Sequence, residues 1–187
     1  MIVSAYRVSQ TYPSEAGYST AYMQQYRAYV KAGISNPKPK HRCLIALTQF
    51  MTQWKEKHND SSIILMMDAN GDRSDKHFLT FMRENALHDV LEYHSPQIKD
   101  QSTYINGTKR LDYILVSEDL LSSGNSAGHT DFSHPFISDH RGVYWDVAVG
   151  DLFGSNTEAP KNVGQRGLQL ERPKQVEEYV SQLKILY

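Results

Sequence analysis

Cysteine occurs once in the 187 residues, at Cys43, so the chain has no disulfide framework, and a reducing compartment is expected. No stretch approaches the roughly 18 consecutive apolar residues of a membrane span. The opening Met1-Ile2-Val3-Ser4 lacks a cationic region followed by a long apolar one, so no secretory leader is expected. An intracellular protein, nuclear or cytoplasmic and without a membrane partner, follows as the expectation. A basic surplus is missing too: 20 Lys and Arg against 21 Asp and Glu leave a net charge of −1. That balance disfavours a passive nucleic-acid-binding module, although a short basic cleft can sit within a neutral total. Internal repeats and low-complexity tracts are also absent. What is present is ordinary for a globular domain, with 40% hydrophobic and 22% charged residues.

Apolar periodicity divides the chain into alternating helices and strands. Residues 2–8 are β-rich and predict a strand, and 9–19, with Tyr12-Pro13 and Ala16-Gly17, predict a loop. Tyr22, Tyr26 and Tyr29 at helical spacing predict a helix over 20–31, broken by Asn36-Pro37-Lys38-Pro39. A longer helix is expected over 41–58, with Leu44, Leu47, Phe50, Met51 and Trp54 on one face. The run 63–67 reads as a strand buried on both faces. A helix over 75–85 carries Phe78, Phe81 and Met82 inward, and a short one is expected over 118–121. Strands are expected at 103–105, 111–116 and 142–149. The alternation indicates an α/β layered domain over 1–149. Residues 150–167 read as a linker, and Val176, Tyr179, Val180, Leu183 and Leu186 as the apolar face of a closing amphipathic helix.

Three short stretches set acidic residues at the ends of these apolar runs: Met67-Asp68-Ala69-Asn70, Arg110-Leu111-Asp112-Tyr113 and Ser138-Asp139-His140. A carboxylate there is costly unless it is paired or binds a metal. Asp68 to Asp72 has the alternating oxygens of a calcium loop, but Arg73 and Leu79 stand where that loop needs Gly and Glu, which excludes an EF-hand. Taken singly, each stretch has a plainer reading. Asp68 or Asn70 can cap the next element, Arg110 or a backbone amide can hold Asp112, and Asp139-His140 can be a solvated turn. Strand alternation puts Asp112 on the face of Ile114 and Val116, toward a buried or cleft-facing region. The remaining histidines show no metal-ligand spacing. Together the groups could serve metal-assisted hydrolysis, which needs carboxylates for a hard cation, a base for water and a donor for phosphoryl oxygens.

The order Met-Asp-Ala-Asn, Arg-Leu-Asp-Tyr, Ser-Asp-His resembles the later half of the endonuclease/exonuclease/phosphatase superfamily, the exonuclease III and DNase I type. Met67 replaces the Gly of that family's first motif. Thr103-Tyr104 is similar to its Thr-aromatic strand, and Ser4-Ala5-Tyr6-Arg7 to the strand bearing a phosphate-contacting residue, with Ser9 where Asn is common. The resemblance implies a four-layer α/β sandwich and Mg²⁺- or Mn²⁺-dependent hydrolysis of phosphodiesters, most simply in DNA. It also implies that Asp68 activates water, that Asn70 positions water or phosphate, and that Tyr6 contacts phosphate. Asp112 would pair with His140, His140 would stabilise the phosphoryl oxygen, and Asp139 would bind the metal. A phosphatase acting on a small phosphorylated substrate or a lipid head group would use the same residues.

One departure bears on activity. The family's early Asn and its metal-binding Glu have no counterpart, since no acidic residue precedes Glu15. The expectation is therefore a truncated sandwich lacking its N-terminal half, with an exposed apolar sheet face, weak metal binding and impaired catalysis. A dead fragment kept for binding or structure is the rival expectation. The tail, Arg166-Gly167-Leu168 and then Arg172-Pro173-Lys174, is similar to segments that follow such nuclease domains in retroelement-like reading frames, where a further downstream domain is a possible partner.

Overall fold

A computed structural model describes residues 1–10, 12–58, 61–133 and 137–154. The chain divides into two compact units, Met1–Leu152 and Phe153–Tyr187. Nearly all of the second, with the expected tail helix and the retroelement-like motifs, lies outside the described residues.

The first unit is α/β. Its main sheet has four strands in the order β1 (Ile2–Tyr6), β2 (Ile64–Asp68), β4 (Asp112–Ser117), β3 (Leu87–Asp89). β1 runs parallel to β2, whereas β2 with β4 and β3 with β4 are antiparallel. The parallel pair needs a crossover. Helices α1 (Ala21–Lys31) and α2 (Pro39–Lys57) supply it, and α3 (Lys76–Glu84) leads from β2 to β3. Asp75 caps α3 by accepting from the backbone N–H of His77 and Phe78 at 3.0 and 3.2 Å. One face of the sheet, including Leu65, Met67, Tyr113 and Leu115, forms the core with Leu44 and Met51 of α2 and Phe78 and Phe81 of α3. Fully buried side chains such as Leu65 and Phe78 each contribute about 1.5–3 kcal/mol by leaving water.

The opposite face is only partly covered. After β3 come α4 (Val90–His94), and after β4 α5 (Glu118–Leu121), then the antiparallel pair β5 (Gly124–His129) and β6 (Val143–Val147). Ile114 and Val116 pack with Val90, Leu91 and Leu121 and with Ala127 and Trp145 of that pair. Toward β1 the face stays open: Ile2 is 60% exposed, Tyr6 56% and Met66 40%. This is the exposed apolar face that the sequence suggested.

Several expectations need correction. β2 is not buried on both faces, because Met66 points to the open side. Phe50 is exposed on α2, where Leu44 and Met51 carry the core contact. Residues 103–105 form no strand; Tyr104 makes an isolated antiparallel bridge to His140. β6 stops at Val147, and α6 (Val149–Phe153) occupies the start of the expected linker. β3, α4 and β5 had no clear sequence signal. Among the described residues no helix is long and apolar enough to cross a membrane.

Candidate active site

Strand register builds the site. Tyr6 lies opposite Asp68, and Asp68 opposite Asp112. Directly paired residues share a sheet face, so these side chains form a row at one end of the open face. His140 joins the row from the segment before β6: its Nδ1 lies 2.7 Å from Oδ2 of Asp112. Ligating atoms of Asp68, Asp112 and His140 all fall within 4.8 Å of one another, and each residue is partly buried. A groove of ≈ 350 Å³ opens over them, walled also by Ser4, Met66 and Arg141.

The backbone around the row is clamped from several sides. Thr103 is fully buried, and its Oγ1 accepts from the N–H of Leu111 at 2.9 Å and of Asp112 at 3.1 Å. Its carbonyl accepts from the N–H of Arg141, while the N–H of Ile105 donates to the carbonyl of Asp139 at 2.8 Å. The segment 103–105 therefore fixes both partners of the Asp112–His140 pair. The Tyr104 ring lies 5.2 Å from the imidazole of His140, centroid to centroid.

Arg110 does not hold the Asp112 carboxylate. Its guanidinium forms a buried two-pronged pair with Asp89 at 2.7 and 2.8 Å, and its Nε donates to the carbonyl of Asp112 at 3.0 Å. On the other side Arg7, buried next to Tyr6, donates to the carbonyls of Lys40 and Ala69 and to Asp75. Gly71 leaves room for this contact, since a Cβ there would lie 2.7 Å from Nη1 of Arg7. Asn70 adopts φ 41°, the left-handed region that Asn tolerates better than most residues. Its N–H donates to Oδ1 of Asp68 at 2.9 Å, and its side-chain amide donates to the carbonyl of Arg7 at 2.7 Å.

Charge and burial oppose each other here. Burial pushes the Asp68 carboxyl above its ordinary range, and the nearby Asp112 adds to this; the Asn70 N–H and His140 pull the other way without cancelling it. Burial alone would lower the His140 imidazole. The hydrogen bond and charge of Asp112, with Asp68 and Asp139 adding, take it above its ordinary value instead.

Of the residues expected from sequence, Asp68, Asp112 and His140 come together, with Tyr6 at the end of the row and Asn70 bracing the loop. Asp139 is exposed and lies outside the Asp68–Asp112–His140 cluster, one residue along from it. Arg7 and Arg141 were not singled out. Arg7 follows a β-rich run as an isolated cation, which is a weak signal, and Arg141 is marked only by adjacency to His140.

No family model matches the sequence, and no curated protein matches it. Solved structures do. A mannosyl-6-phosphatase of Bacteroides thetaiotaomicron is similar at 18% identity over 59% of this chain and 46% of its own, with a TM-score of 0.45. An endonuclease/exonuclease/phosphatase family protein of the same organism is similar at 17% identity over 56% and 44%, with a TM-score of 0.41. The 3′ phosphatase NExo from Neisseria, bound to a product DNA hairpin, is similar at 15% identity over 70% and 56%, with a TM-score of 0.48. The chain spans about half the length of these structures, at 46%, 44% and 56%.

Proposed function

We propose that this chain hydrolyses phosphate esters, phosphodiester bonds of DNA foremost, with help from Mg²⁺ or Mn²⁺. The observation that carries the reading is the convergence of Asp68, Asp112 and His140 within 4.8 Å at the mouth of an open groove. The donor set fits a hard cation: carboxylate oxygens suit Mg²⁺ and Mn²⁺, and two carboxylates converge here. Asp139, next in sequence to His140, would hold it, with the carboxylates of Asp68 and Asp112 lending negative charge beside it. When bound, the ion neutralises charge on the phosphoryl oxygens.

The chain's own groups supply the remaining roles. Asp68, whose carboxyl burial and Asp112 raise above its ordinary range, takes the proton of the attacking water. Asn70 keeps that carboxylate aimed by donating its N–H to it and by pinning its loop to the carbonyl of Arg7, just past β1. Asp112 occupies Nδ1 of His140 and favours the imidazolium, which leaves Nε2–H to donate to a phosphoryl oxygen. Tyr6, at the open end of the row, contacts the phosphate. The ≈ 350 Å³ groove also suits a small phosphorylated molecule, and a phosphatase reading uses the same groups.

The test is nicking of supercoiled plasmid with Mg²⁺ or Mn²⁺, comparing the intact chain with Asp68→Ala and His140→Ala. Nicking abolished by either substitution supports the assignment, and nicking that survives both removes it. Phosphate release from an inositol phosphate without nicking would move the substrate to the small-molecule class. Neither activity in the intact chain would favour a non-catalytic, binding role.

A further inference from the structure

A second cavity, of ≈ 540 Å³, opens beside Arg7 and shares no lining residue with the catalytic groove. Its wall carries Arg7, Lys38, Lys40, His41 and His77. Asp75 is the lining carboxylate, and it is already engaged by Arg7 at 2.8 Å and by the N–H groups at the start of α3. The imidazoles of His41 and His77 lie side by side, tilted by 32°, with centroids 4.0 Å apart. At its start α2 places Lys38, Lys40 and His41 along this wall, and no side chain caps that helix end. Tyr12 and Tyr22 add aromatic surface.

The local charge is unbalanced. Burial, with the charges of His77, Arg7 and Lys38, lowers the His41 imidazole despite Asp75. Burial and Arg7 lower Lys40 as well, although Asp75, Glu15 and Asp68 pull the other way. The lining thus gathers five basic side chains around one carboxylate that is already paired, an imbalance that an anion would offset. A phosphate group carries up to about two negative charges and several acceptor oxygens, and suits such a cluster better than a carboxylate does.

We propose that the cavity lined by Arg7, Lys38, Lys40, His41 and His77 is a phosphate-binding site, independent of the reaction assigned to the Asp68–His140 centre. Its ligand is either free phosphate or a phosphate of a nucleic acid strand.

The experiment titrates inorganic phosphate into the full chain at constant ionic strength and follows the imidazole ¹H–¹⁵N signals of His41, His77 and His140. Saturable movement of the His41 and His77 signals, with His140 unmoved, is the expected result. Lys38 is exposed, so Lys38→Glu should keep the fold and weaken that response by ~tenfold or more. A deoxydinucleotide with a single phosphodiester forms the second arm. Saturation by both ligands assigns the site to a strand phosphate, and saturation by inorganic phosphate alone assigns it to free phosphate. Signals of His41 and His77 that stay fixed, that respond equally to chloride, or that are indifferent to Lys38→Glu would overturn the proposal. So would a response confined to His140.

Discussion

Asp112 Oδ2 and His140 Nδ1 stand 2.7 Å apart across 28 residues of sequence, and the pair is partly buried. The folded protein therefore binds the imidazole proton more tightly than the unfolded chain does. The resulting stabilisation is complete below the ordinary His value of about 6.5 and is lost as pH rises through the raised value. Asp112→Asn should lower the His140 midpoint in an NMR titration. The stability gap between the variant and the parent should shrink on going from acid to alkaline pH. Hydrolysis should fall along the same limb, and by at least about 10²-fold in the variant at neutral pH.

Asp68 has the opposite character. Its carboxyl is raised by burial and by Asp112, so its ionised form costs stability, and the fold gains as pH falls through that raised value. Asp68→Asn should raise the unfolding midpoint by roughly 2–4 °C at pH 7 while abolishing hydrolysis. A scanning calorimetry trace with an unchanged or lower midpoint would contradict the cost assigned to burying the Asp68 carboxylate beside Asp112.

Thr103 positions the pair without touching substrate. Thr103→Val keeps the shape but leaves the N–H groups of Leu111 and Asp112 without their acceptor. Each buried orphan costs about 1–3 kcal/mol. Urea unfolding should register that loss, whereas Thr103→Ser should restore most of it. Hydrolysis should track the same order, with a shifted His140 midpoint in the Val variant alone.

Arg110 and Asp89 are both almost fully buried and meet at 2.7 Å. Removing one partner strands a buried charge, so Asp89→Ala should cost about 3–5 kcal/mol. Part of that is lost capping, since Asp89 Oδ1 also accepts from the N–H of Leu91 at 3.1 Å. Chemical denaturation of the single and double variants, with Arg110→Met as the second change, should show strong coupling.

Much of the scaffold was legible because apolar spacing is local. The Phe78–Phe81 stripe and the helix at 118–121 stand where the pattern puts them, and the strand expected at 111–116 lies one residue on, at Asp112–Ser117. β5 was not legible: its sequence Gly-Asn-Ser-Ala-Gly-His has no apolar run, and it forms by pairing with β6, where Trp145 lies against Gly124. Residues 103–105 read as a strand for their β-branched and aromatic character, yet only Tyr104 finds a bridge partner. The motifs pointed to Asp68, Asp112 and His140. They could not show that Arg110 answers to Asp89 or that Arg7 is buried, because those pairings span 21 and 68 residues.

The pairing of β2 with β4 matches Asp68 to Asp112 and Met67 to Tyr113. A slip of one residue by β2 would turn Asp68 toward the helices and Met67 toward the open face, while Asp112 stayed where it is. The apolar core thus acts as a proofreader for the chemistry: any chain packed well enough to bury Leu65 and Met67 has already aimed its acids at the groove. Substitutions that loosen that packing should therefore blur catalysis before they melt the domain.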